Sequence, residues 1–108
     1  MTSTRSALSY LTGKHKSLDL MFHFDHMFAD CIFTEYMQRP FHLRSLKHAF
    51  SKWQKALNGR AWNTLYLENH DHPRVISRYG NERYHRASGS MLAVCYLFQQ
   101  GILPLYPR

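Results

Sequence analysis

Two hydrophobic periods alternate along this chain, and the order in which they alternate restricts its fold more tightly than any single motif. From Leu18 to Asp25 the apolar Leu18, Leu20, Phe22 and Phe24 are interleaved with Asp19, Met21, His23 and Asp25, the two-residue period of a strand. From His42 to Leu57 the period changes. Leu43, Leu46, Phe50, Trp53 and Leu57 follow one another at steps of 3, 4, 3 and 4, which stacks them on one face of a helix that Asn58-Gly59 would end. Trp62 to Leu67 is a short aliphatic, aromatic and Thr run suited to a strand buried on both faces. A second helix is expected from about Tyr84 to Gln100, with Tyr84, Ala87, Met91, Val94 and Phe98 on its core stripe and Gly101 at its end. Ile102 to Tyr106 would begin a third strand. The resulting order, βαβαβ, predicts an α/β fold of parallel strands with right-handed crossovers, whose ligands sit at the carboxyl ends of the strands.

At 108 residues the chain is one domain at most and falls far short of the roughly 250 residues of a closed eight-stranded β/α barrel. With 44% hydrophobic and 15% aromatic residues it can build a core, which excludes a disordered class. The longest apolar run, Met91 to Phe98, is well under the ~20 residues of a membrane span, and the N-terminal segment lacks the apolar stretch of a signal peptide. A cytoplasmic protein without a membrane partner is the expectation. Cys31, in a predicted loop, and Cys95, in an apolar helix, lack a C-x-x-C spacing and read as buried or incidental thiols.

Fourteen basic against seven acidic residues raise polyanions as partners. Arg44, Lys47, Lys52 and Lys55 are the solvated side of the first helix, however, opposite its apolar stripe. Arg78, Arg83 and Arg86 form a candidate basic patch that no nucleic-acid module signature accompanies. Nucleic acid is therefore not an expected partner, although a small basic binding module remains an alternative.

The densest chemistry is Asn69-His70-Asp71-His72-Pro73-Arg74, directly after the second strand. Pro73 disfavours helix in the residue before it, which holds His70 and Asp71 at a strand-to-loop corner. A carboxylate beside an imidazole there can bind sugar hydroxyls, ligate a metal or move protons. The competing reading is that Asp71 and Asn69 cap the turn. His70-x-His72 and His23-x-x-His26 also bring imidazoles near Asp25 and Asp71, but neither spacing is a zinc signature, and no metal or cofactor is expected.

The segment from Trp62 to Gly80, WNTLYLENHDHPRVISRYG, resembles glycoside hydrolase family 13, the α-amylase family. It is similar to the oligo-1,6-glucosidase, α-glucosidase and trehalose-6-phosphate hydrolase group, where the pattern is close to W-N-x-L-x-x-x-N-H-D-Q-P-R-x-x-S-R-[FY]-G; His72 replaces the Gln. Leu20 to Met27, LMFHFDHM, resembles the group's sixth strand, and Ser90 to Ala93 the helix before the eighth. The resemblance implies a partial (β/α)8 TIM barrel, roughly strands six to eight with their connecting helices. It further implies that Asp71 is the transition-state-stabilising catalytic carboxylate, that His70 contacts the glucosyl unit, and that Arg74 and His26 support substrate binding.

Two departures qualify that resemblance. The family's nucleophilic Asp and acid-base Glu have no counterpart here, and the tail from Gly101 to Arg108 replaces the usual G-T-P-[FY]-x-Y-Q-G-[EQ]-E. A retaining mechanism needs two carboxyl groups about 5 Å apart. The expectation is thus a single incomplete barrel segment, residues 1–108, of a retaining α-glucosidase for short oligosaccharides, inactive alone and able to self-associate through exposed strand edges. A truncated reading frame without function is the other alternative.

Overall fold

Helix α2, Leu43–Leu57, organises the chain. Its period places Leu46, Phe50, Trp53 and Leu57 inward with Ala49, while Leu43 at its start is exposed. Burying each Leu or Phe there contributes about 1.5–3 kcal/mol. Gly59, at φ +65°, takes the left-handed conformation that stops the helix. The computed structural model describes residues 3–32 and 34–105.

The two ends of α2 serve two cores. Towards its C-terminus Trp53 and Leu57 pack with Ala7 and Leu11 of α1, Thr4–Leu11, a helix that the period analysis did not foresee. Ser3 starts α1 by accepting a hydrogen bond on Oγ from the Ser6 amide at 3.1 Å. The larger core joins Leu46 and Phe50 to Ala29, Leu67, Tyr79 and Leu92. Tyr79 comes from α3, Val75–Tyr79, and Leu92 from α4, His85–Leu97.

Strands are scarce. Cys31–Ile32 and Thr34–Gln38 form an antiparallel pair, β1 and β2, where a loop was expected. Thr64 and Ile102 make one isolated parallel bridge, in which the Leu65 amide donates to Ile102 O at 2.8 Å and the Ile102 amide to Asn63 O at 2.7 Å. The expected partial (β/α)8 barrel with strands six to eight is therefore overturned. A parallel strand needs neighbours to take up its amides and carbonyls. Among the described residues, 18–24 find no such ladder: the Leu18 amide donates to Tyr10 O, and His23 O accepts from the Tyr66 hydroxyl at 2.8 Å. The third strand shrinks to Ile102, and Tyr106 lies outside the described residues.

Two expected faces are reversed. In the 18–24 segment His23 is buried, whereas Leu18, Leu20, Phe22 and Phe24 are exposed. Helix α4 buries Ser88 and Leu92, leaving Tyr84 just before it and Met91, Val94 and Phe98 open to solvent, the last at 86%. The anchor is Ser88: its Oγ accepts from the Asn81 amide at 2.9 Å and packs so closely on Gly80 that a Cβ there would lie 2.8 Å from Ser88 Cβ.

Candidate functional site

The 69–74 loop closes on itself before it meets any ligand. Asn69 Oδ1 accepts from the Asp71 amide at 3.1 Å and lies 2.7 Å from His72 Nδ1, so Asn69 makes the turn. Glu68 secures the far side, accepting from Arg74 Nη1 at 3.1 Å and from the Val75 amide at 2.9 Å, which also satisfies an orphan donor at the start of α3. The Asp71 carboxylate meets the His70 ring, Nε2 to Oδ1 at 3.3 Å, with the two side chains 77% and 61% exposed. Both remain accessible to a ligand.

Beside them opens a cleft of about 330 Å³ lined by Phe22, Phe24, Tyr66, Glu68 to Asp71, Pro104 and Leu105. Phe22 and Phe24 set their rings edge-on to Tyr66, at centroid distances of 5.3 and 6.1 Å. Burial raises the Tyr66 hydroxyl above its ordinary range, so it stays protonated as a donor to His23 O. The result is an apolar aromatic wall facing an imidazole and a carboxylate, suited to a ligand with apolar faces and hydroxyl edges.

Of the four residues singled out in the sequence, the cleft unites His70 and Asp71. Arg74 reaches it through Glu68. His26 does not line it: the ring lies in the core behind Tyr66, 1% exposed, with centroids 4.6 Å apart. Sequence reasoning missed Phe22, Phe24 and Tyr66 as wall residues, because their period marked them as core. It also missed Glu68, whose signal was its place seven residues before the helix start it caps.

The positive charge is partly consumed internally. Arg78 binds Asp30 in a two-point fork, and Lys52 Nζ binds Asp25 Oδ2 at 2.5 Å, a carboxylate that also accepts from Trp53 Nε1 at 2.9 Å. Burial raises the Asp25 carboxyl, but these two donors outweigh it and leave the group below its usual range. Desolvation pushes the Cys95 thiol up, away from nucleophilic use. Among the described residues no three His, Cys, Asp or Glu side chains converge as metal ligands, and no helix is long and apolar enough to cross a membrane.

Residues 1–107 match the family described as alpha amylase, catalytic domain. An oligo-1,6-glucosidase of Parageobacillus thermoglucosidasius is 38% identical over 104 residues, covering 94% of this chain and 18% of that protein. A trehalose-6-phosphate hydrolase of Bacillus subtilis is 36% identical over 108 residues, 97% of this chain and 19% of its own length. The crystal structure of the Bacillus licheniformis trehalose-6-phosphate hydrolase superposes with a TM-score of 0.86 at 34% identity, over 97% of this chain and 20% of that one. The chain thus spans about a fifth of the relatives it matches.

Proposed function

Because the chain belongs to the alpha-amylase family of glycoside hydrolases, we propose that it supplies one side of the substrate site of a retaining α-glucosidase acting on short oligosaccharides. The observation that carries this reading is the exposed His70–Asp71 pair at the rim of an aromatic cleft. An oxocarbenium-like transition state gains from hydroxyl contacts that strengthen as charge develops, and from a nearby anion. In this reading Asp71 grips the hydroxyls of the glucosyl unit and stabilises that charge, and His70 donates to a neighbouring oxygen. Arg74 acts through Glu68 to fix the loop, and His26 backs Tyr66 from the core. A cytoplasmic location belongs to the same reading.

The test is a chimaera in which these 108 residues replace the matching stretch of the Parageobacillus thermoglucosidasius enzyme. It should hydrolyse a chromogenic α-glucoside, and Asp71→Asn should lower kcat/KM by on the order of 10²–10³, about 3–4 kcal/mol. An active chimaera indifferent to that change would refute the assignment. The 108-residue polypeptide alone should show no turnover. Its exposed row of Leu18, Leu20, Phe22 and Phe24 should make it self-associate, read as a concentration-dependent mass by sedimentation.

A further inference from the structure

Two imidazoles meet edge to face in the core, His23 and His26, with centroids 5.2 Å apart. His23 lies flat on Trp53 of α2 at 4.4 Å, and its Nε2 is 3.0 Å from Asn63 Oδ1. His26 is held between the face of Phe50 at 5.7 Å and the edge of Tyr66. Among the described residues neither ring nitrogen of His26 meets a partner in good hydrogen-bond geometry, nor does His23 Nδ1. A proton added to His26 would be a buried charge that the Tyr66 main chain offsets only in part.

The groups around the pair do little to welcome that charge. On its own segment stands Asp25, already engaged by Lys52 and Trp53 of α2. Residues 62–67 contribute Tyr66, and β1 contributes Cys31, whose thiol donates to Met27 O at 3.3 Å. From α3 come Arg78, locked to Asp30, and Tyr79, whose hydroxyl donates to His26 O at 3.2 Å. Lys52 and Arg78 repel a new cation, and each imidazole repels a proton on the other.

We propose that His23 and His26 make the core an acid-sensitive joint: their protonation parts the 18–28 segment from α2 and from residues 63–67, and loosens the aromatic wall of the cleft. Burial, reinforced by His23 and Arg78, holds His26 down at about 3 in the folded chain, against 6.5 for an ordinary imidazole. Burial lowers His23 as well. Between those limits the unfolded chain binds more protons. The contribution is complete above about pH 6.5 and is lost as pH falls towards 3, with up to tenfold in the unfolding constant per pH unit for each histidine. The joint needs no substrate and stands whether or not the glucosidase reading does.

Urea unfolding of the 108-residue chain across pH 7 to 4, in a Trp62→Phe background so that emission reports Trp53, tests this. The unfolding constant should rise about tenfold per pH unit below pH 6. His26→Phe, shaped to stack on Phe50, should remove about tenfold per unit of that rise. In parallel, ¹⁵N signals of the wild-type His26 ring should stay neutral for as long as the 18–28 segment is packed on α2, a readout that does not depend on the variant folding. An unfolding constant flat with pH, an unchanged slope in His26→Phe, or a His26 ring that titrates near 6.5 in the folded chain would each overturn the proposal.

Discussion

Replacing Asp30 by Ala should unfold this protein more readily than removing most of its apolar side chains. Arg78 is 7% exposed in its side chain, donates Nε to Asp30 Oδ2 at 2.8 Å and pairs Nη2 with Asp30 Oδ1. Nη2 also reaches Met27 O at 2.9 Å, and the guanidinium lies 4.9 Å over the Tyr79 ring. In Asp30→Ala the backbone and ring contacts survive while the charge loses its counterion, so the cost is that of an unpaired buried cation, about 3–5 kcal/mol. A chain of this size has on the order of 5–15 kcal/mol in all. The double variant Asp30→Ala/Arg78→Met removes both charges and keeps an apolar stem on Tyr79. It should recover most of the loss, with a coupling energy of about 2–4 kcal/mol in urea unfolding. Additive single changes, or an Asp30→Ala cost below about 1 kcal/mol, would show that the fork is solvated and does not hold α3 to the 27–30 turn.

Gly101→Ala should cost at least about 2–3 kcal/mol in thermal unfolding, because a Cβ there would sit 2.6 Å from both Asn63 O and Leu65 Cγ, beside the Thr64–Ile102 bridge. Trp53→Ala removes a fully buried ring, the His23 stack and a donor to Asp25, and should cost about 3–5 kcal/mol. Asp25→Asn should flatten the stability profile below about pH 4. A carboxyl held below its usual range contributes stability that is present above the unfolded value and lost as pH falls through the folded one, a window that opens at the acid end of the one the histidines occupy.

How far the fold was legible varied with how sharply each segment separates its apolar from its polar side. Helix α2 was readable because lysines and arginines oppose its stripe. In α4 the second half is apolar all round, so nothing local distinguishes the Met91–Val94–Phe98 face from the Ser88–Leu92 face. That choice was made by Gly80 and Asn81, which accept Ser88 closely. The 18–25 alternation was real, but its polarity misled. His23 is buried because Trp53 and Asn63, thirty and forty residues on, supply a stacking face and an acceptor. The cluster after Leu67 announced itself, whereas the division of labour between Asn69 and Asp71 depended on which carboxyl or amide oxygen turned inward.

Glu68 and the Val75 amide close the six intervening residues, 69 to 74, into a ring. The circumference of such a ring is fixed by backbone length, since one end is a buried segment and the other a helix that must start where its first amide is taken up. Chemistry on this rim can change by exchanging side chains, but one added or deleted residue would force the clasp open and carry the His70–Asp71 tip away from the aromatic wall.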